Sequence, residues 1–376
     1  MKGYRKIGDL VDLIDERNKD EKVKTLIGVS IDKCFIKSVA NTIGTDLSKY
    51  QLIRKFDFAC SLMQVSRDGK IPIACLKDYD EAIMSPAYYI FRIKNTEEIL
   101  PDYMAMWFMR PEFDREASYI AVGGVRGSMP WEDFCDMKLP VPNIKEQQKI
   151  VDTYNAITKR IQLKQKINEN LEKTAQCLFE ELTKDKENFE TKTIEEISDA
   201  VICGKTPSTT ESKYWGNEIP FITIPDMHGS NFIHTTERYL SIEGKQSQEK
   251  QTLPPNSICV SCIATVGLVS LTTTESQTNQ QINSIICKEG ISFYYVFMLL
   301  KQMTDELKRL GAGGSTTLNV SKSLFASIKL QLPNEENMNF FDKKVSSLFS
   351  KILINEKEIE KLEALRMIVV SQISKR

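Results

Sequence analysis

At 376 residues, with ordinary shares of apolar and charged side chains, the chain has material for two cores, and its formal net charge of −1 excludes a protein that holds nucleic acid by bulk basicity. No apolar run approaches bilayer length and the opening Met1-Lys2-Gly3-Tyr4-Arg5-Lys6 lacks the apolar stretch of a signal peptide, so a cytoplasmic protein is expected. Nine cysteines, an odd number scattered through strand-like stretches, read as free thiols.

In residues 1–143, short apolar runs alternate with turn signals. Thr25 to Val29, Phe56 to Val65, Ile71 to Leu76 and Ala87 to Ile93 read as strands, and Asp102 to Phe113 as a helix with Pro111 near its end. The loop Gly123-Gly124-Val125-Arg126-Gly127-Ser128 follows, then a short amphipathic piece at Trp131 to Phe134 and a strand at Met137 to Val141. Residues 144–184 contain neither Gly nor Pro and read as one long helix. Residues 185–334 repeat the first segment more faintly. Ser257 to Ala264, Leu268 to Thr272 and Ile282 to Cys287 read as strands and Phe293 to Leu310 as a helix. A second glycine loop runs from Gly311 to Thr317, and Ser321 to Ala326 and Ile328 to Leu332 complete the unit. Residues 335–376 read as a second long helix, again without Gly or Pro.

The two helices carry one pattern, displaced by 191 residues. In the first, steps of four and three pick out Ile150, Tyr154, Ile157, Ile161, Lys164, Asn168, Leu171, Ala175, Leu178 and Leu182. In the second they pick out Phe341, Val345, Leu348, Ile352, Asn355, Ile359, Leu362, Arg366, Val369 and Ile373. This is a coiled-coil seam. Helices of this length outrun any core the chain can build, so each needs the other, or another subunit, to hide its seam. The polar interruptions at Lys164, Asn168, Asn355 and Arg366 either fix register or sit near solvent. Pro142-Asn143 recurs as Pro333-Asn334, and Gly123-Gly124 falls within a residue of Gly313-Gly314 at the same displacement. Tandem units tend to arrange about a twofold axis, and duplex DNA is a partner with matching symmetry.

Motifs for chemistry are weak. Gly204-Lys205-Thr206 resembles the end of a phosphate-binding loop, but the first glycine of that motif would fall on Asp199, and Pro207 stops the helix that should follow. Cys259 and Cys262 have metal-ligand spacing, with His228 and His234 upstream, yet the surrounding run reads as a buried strand and no metal is expected. HExxH, GxSxG and strand-linked GxGxxG are absent, so no catalytic residue is assigned. Polar donors suited to DNA are more evident. In the first unit they are Lys33, Lys37, Arg54, Lys55, Gln64, Arg67 and Lys70, with Arg126 and Ser128 in a loop where Gly123 and Gly124 permit close backbone approach. In the second they are Lys205, Thr206, Ser208, Thr209, Thr278, Asn279, Gln280 and Gln281, with Gly313, Gly314 and Ser315 in the matching loop.

Taken together, the chain resembles a specificity subunit of a type I restriction-modification system. The resemblance rests on Gly204-Lys205-Thr206-Pro207-Ser208 followed by Tyr214-Trp215-Gly216, Ile219-Pro220-Phe221-Ile222 and Asp226, on Thr278-Asn279-Gln280, and on Leu139-Pro140-Val141-Pro142 with Glu146-Gln147-Gln148 and Ile150. The first domain departs from the pattern: it has no GxTPS stretch, and Ser85-Pro86-Ala87-Tyr88 stands nearer another branch. The second helix opens Asn334-Glu335-Glu336-Asn337, without the fuller Glu-Gln signature. The resemblance implies an α+β chain with pseudo-twofold tandem organisation. Two similar mixed α/β target-recognition domains, 1–143 and 185–334, would alternate with two long helices, 144–184 and 335–376, pairing as an antiparallel coiled coil. It further implies that each domain reads half of a bipartite, asymmetric double-stranded DNA site, with Tyr214 among the contacts. The helices would set the spacer and dock two modification subunits that bring S-adenosylmethionine, restriction subunits could join, and this chain would be catalytically silent. The alternatives are a coiled-coil adaptor that never touches DNA and a fused restriction-modification enzyme.

Overall fold

The structure is a computed structural model describing residues 3–38, 45–63, 65–122, 127–184, 189–312 and 318–373. Two compact units emerge, Met1–Ile161 with Leu362–Arg376, and Gln162–Lys361. This division differs from the four consecutive segments read from sequence, because each globular core is completed by apolar side chains from one end of each long helix. Among the described residues no helix is long and apolar enough to cross a membrane.

Within the first unit, Val11–Ile14, Tyr89–Ile93, Phe58–Cys60 and Ile73–Cys75 form an antiparallel sheet in that order. In the second, Ser198–Cys203, Ile282–Cys287, Ile258–Ser261 and Val269–Thr272 take the same order, and Phe232–Ile233 adds a parallel fifth strand. Each domain also closes on itself. Tyr4–Lys6 pairs with Lys138–Pro140, and Glu190–Thr193 pairs with Lys329–Leu332, so the chain enters each long helix from a strand tied to the start of its own domain. The duplication seen in the helices therefore extends to the strand order of the domains.

Some elements differ from expectation. The run Phe56 to Val65 holds a strand only at Phe58–Cys60, and Val65 instead opens the short helix Val65–Asp68. The single helix expected at Asp102 to Phe113 is two, Pro101–Phe108 and Pro111–Ile120, because Pro111 disfavours helical geometry at Arg110 and then serves as a helix start. Phe293 to Leu310 likewise divides into Phe293–Gln302 and Thr304–Gly311.

The long helices are Ile144–Thr183 and Glu335–Gln372. In the second unit they run antiparallel. Phe179 meets Phe341, with ring centroids 5.9 Å apart, while further along Asn355 Nδ2 donates to Asn168 Oδ1 at 2.7 Å. Lys164 Nζ donates to Asn355 Oδ1 at 3.1 Å and lies 2.6 Å from Glu358 Oε2. Lys164 and Asn355 are thus repeat-equivalent residues, 191 apart, in direct contact. Asn168 and Asn355 are buried and hydrogen-bonded to each other, so at these positions the register reading holds: a slip would leave both amides unpaired. In the first unit, Val151, Val370 and Ile373 join the core that includes Phe91, Phe108 and Phe134. The buried stripe is broader than the two-position seam. Phe179, Phe349, Val151 and Val370 are also covered, because the helices face a domain as well as each other. Gln147, in the stretch Glu146-Gln147-Gln148, is fully buried at the start of the first helix. Its Oε1 accepts from Leu100 N–H at 2.9 Å, and its Nε2 donates to the carbonyls of Glu98 and Pro142, both at 2.8 Å.

Candidate nucleic-acid interface

In the second unit, distant stretches of sequence converge at one side of the main sheet. The strand Ser198–Cys203 runs out into Gly204-Lys205-Thr206, which has no regular secondary structure, with Gly204 N–H donating to Ile282 O at 3.1 Å and Lys205 N–H to Thr278 O at 3.0 Å. No α-helix begins there, the next element being the single 3-10 turn Ser212–Tyr214, which disposes of the phosphate-loop resemblance. Thr206 Oγ1 donates to Gln280 Oε1 at 2.7 Å. Gln281 O accepts from Cys262 N–H, and Cys262 O accepts from Val320 N–H, both at 2.8 Å. Gly311 O accepts from Asn319 N–H at 3.0 Å, so the two ends of the second glycine loop are held together beside the same strands. Lys205, Ser208, Thr209 and Gln280 are exposed there, and Tyr214 is half-buried.

Thr278 and Asn279 do not fit the role read for them. Thr278 is fully buried against Gly204, which removes it from the contact set. The Asn279 side chain is spent on its own turn, accepting from Gln281 N–H at 3.0 Å and donating to Gln281 Oε1 at 3.0 Å. Both shape the loop that presents Gln280.

Arg238 belongs to this region and was missed from sequence. Its guanidinium lies 3.5 Å from the Trp215 ring centroid, and Trp215 Nε1 donates to Ser208 O at 3.2 Å. One indole therefore ties the Ser208 loop to an exposed, pre-oriented arginine. Nothing local marks Arg238, because the aromatic surface beneath it comes from strands that fold back beside it. If this surface meets a DNA duplex, Arg238→Ala should weaken that binding about tenfold, as for one good charged base or phosphate contact. Arg238→Lys should not restore it, since an ammonium does not reproduce the planar stack. A fluorescence-anisotropy titration measures both.

In the first unit, the helix Val65–Asp68 ends at Gly69, whose φ of +65° makes the turn read at Asp68-Gly69. Gly127, φ +75°, lies so close to Ser66 that a Cβ there would collide with the hydroxyl, which sets the end of the first glycine loop beside Arg67. Arg67 is exposed and ion-paired with Asp68 at 2.7 Å; Lys37 and Lys70 are exposed, and Ser128 is half-buried. Lys70 and Arg115 help line an open cleft of about 420 Å³. Gln64, Gly123, Gly124, Arg126, Gly313, Gly314 and Ser315 lie outside the described residues.

Lys33 is a correction. Its side chain is 8% exposed, its Nζ sits 2.7 Å from Asp114 Oδ1, and it also donates to Phe108 O. Burial pushes the ammonium pKa down, and Asp114 opposes this. Lys33 braces the turn against the helix Pro111–Ile120 and is not available to a phosphate. Truncating one partner of a buried pair strands the other, so Lys33→Ala should cost about 3 kcal/mol of stability, read in urea unfolding. Exposed Lys70→Ala should leave unfolding unchanged, and if Lys70 meets a phosphate it should lower the slope of log K against log salt by about one.

Cys259 and Cys262 are both buried, Cys259 within the strand Ile258–Ser261 and Cys262 just past its end. Burial pushes the Cys259 thiol up to about 12 and the Cys262 thiol to about 11, which keeps both protonated. Among the described residues no three His, Cys, Asp or Glu side chains are placed to share a metal ion.

Comparison with known proteins agrees with this architecture. A family model described as the type I restriction modification DNA specificity domain matches residues 4–173 and again 186–364. The chain is 30% identical over 374 residues to the type I restriction enzyme HindI specificity subunit of Haemophilus influenzae, covering 79% of this chain and 81% of that one. It is 29% identical over 175 residues to the MjaIX specificity subunit of Methanocaldococcus jannaschii, covering 46% of this chain and 40% of that one. The crystal structure of a type I restriction-modification S subunit from M. genitalium shares the fold, with a TM-score of 0.63 at 14% identity over 99% of this chain and 95% of that one. With two successive family matches laid over two domains of one strand order, the protein belongs to the type I restriction-modification DNA specificity family.

Proposed function

We propose that this chain is the DNA-reading subunit of a type I restriction-modification complex, each domain reading one half of a bipartite, asymmetric site in double-stranded DNA. The observation that carries the reading is the convergence of Lys205, Thr206, Ser208 and Gln280 with the stacked Arg238 in the second domain, whose strand order the first domain repeats. Phosphate contacts position such a protein and base-edge donors confer sequence choice; this surface offers both kinds. The paired helices set the spacer and dock two modification subunits, which bring S-adenosylmethionine and methylate adenine; restriction subunits can join the same assembly. The chain itself catalyses no step and works in the cytoplasm, where the DNA is. Its near-zero net charge is then no obstacle, because the modification subunits contribute cations around the duplex.

The test is exchange of residues 1–143 for the corresponding domain of a relative, followed by mapping of methylated adenines in the host genome. One half of the methylated motif should change and the other should remain. A change in both halves would show that the domains do not read independently, and loss of neither half would leave the adaptor reading in its place.

A further inference from the structure

A single buried residue ties the second domain to both long helices. Asn231 is 6% exposed, and each of its four polar groups meets a different element of the second unit. Its side-chain Nδ2 donates to Glu172 Oε1, on the first long helix, at 2.9 Å. Its Oδ1 accepts from Lys301 Nζ, on the helix Phe293–Gln302, at 2.7 Å. Its backbone N–H donates to Glu356 Oε1, on the C-terminal helix, at 3.2 Å, and its carbonyl accepts from Leu271 N–H in the sheet at 2.8 Å. Neighbouring contacts reinforce the junction: Ser230 Oγ donates to Glu356 Oε2 at 3.0 Å, and Lys301 lies 3.5 Å from Glu172. Burial pushes the Glu356 carboxyl up, opposed by the Asn231 and Ser230 hydrogen bonds and the charge of His234, so this group depends on those partners when ionised.

An apolar contact between a domain and a rod tolerates small rotations, whereas a fully satisfied polar junction does not, because each rotation leaves buried donors and acceptors unpaired. We infer that Asn231 is a positioning residue that fixes the angle of the second domain on the helix pair, and so restricts the complex to one spacing between half-sites. This rests on the proposed function and adds to it the residue through which the ruler grips one of its reading domains.

The test uses the assembled complex with its modification subunits. Transfer of labelled methyl groups from S-adenosylmethionine is followed on duplexes carrying the motif mapped in the host genome, with the spacer native or one base pair longer or shorter. Asn231→Ala and, cutting the same tie from the helix side at a half-exposed position, Glu172→Ala should each reduce discrimination against the altered spacers roughly tenfold, the worth of one charged hydrogen bond. Glu172→Gln keeps the acceptor oxygen and should retain discrimination. Preference against a base change inside the second half-site should be unaltered in all three, which separates lost positioning from damaged reading. If Asn231→Ala does not fold, the Glu172 pair decides. Unaltered spacer discrimination in Glu172→Ala, with the wild-type complex spacing-sensitive, overturns this inference alone. Indifference of the wild-type complex to spacing overturns the ruler reading, and this inference with it.

Discussion

Gly204→Ala is expected to abolish reading of the second half-site while leaving the first domain intact. Gly204 is buried, and a Cβ at this position would collide with the carbonyl oxygens of Thr278 and Asn279 and with the Thr278 hydroxyl. Side chains at the end of a flexible stem could yield, but these carbonyls belong to backbone already committed. Thr278 O accepts from Lys205 N–H at 3.0 Å, and Asn279 N–H donates to Ile222 O at 3.1 Å. The methyl group must therefore force apart the two segments that present Lys205, Thr206 and Gln280, at a cost of about 1–3 kcal/mol in packing plus the ladder bonds it breaks. Binding to the native duplex should fall on the order of a hundredfold, with circular dichroism unchanged and normal contacts across the first half-site in a footprint. Near-native footprinting of the second half-site would show that this convergence is not the reading surface. Thr278→Val is the matched control: its hydroxyl finds no hydrogen-bond partner among the described residues, so replacing it by a methyl group should be nearly neutral.

What the sequence made legible follows from the range of the interactions involved. The long helices rest on local periodicity, and the expected spans 144–184 and 335–376 lie close to the observed Ile144–Thr183 and Glu335–Gln372. Three of the four interrupting residues found their register role, since Lys164, Asn168 and Asn355 meet in one cluster. The strands Tyr4–Lys6 and Glu190–Thr193 were not. Each is three or four polar-rich residues with no periodic signal, held by a partner strand more than a hundred residues away. Lys33 failed for the same reason. In the turn Asp32-Lys33-Cys34 a lysine reads as surface, and only the fold brings Asp114 and Phe108 O to it. Pro111 was visible but under-used: placed at the expected helix end, it begins the next helix instead. At the interface the residue types were read better than their duties. Thr278 and Asn279 build the loop, Gln280 is displayed by it, and Arg238 gains its place from an indole on a paired strand.

Lengthening the helix pair should move the half-sites apart without altering what either domain reads. Seven residues inserted after Ile161, matched by seven after Lys361, keep the coiled-coil phase and fall at the boundaries of the compact units, so contacts inside each unit survive. At 1.5 Å per residue the insertion adds about 10.5 Å to each helix. Against a rise of about 3.4 Å per base pair, this is worth up to roughly three base pairs of spacer. The shift can be smaller, because each added base pair also turns the far half-site about the DNA axis and the domain must meet its groove at the new angle. Insertion in one helix alone behaves differently. The cluster of Lys164, Asn168, Asn355 and Glu358 lies within Gln162–Lys361 and stays in step, but the seven added residues have no counterpart on the other helix to cover their seam, so the helix must bulge out and activity should be lost instead of reset. Mapping methylated adenines in cells carrying the double insertion measures the outcome. Both half-site sequences should persist with a longer gap between them, and an unchanged gap in an active complex would mean that the rods do not measure the DNA.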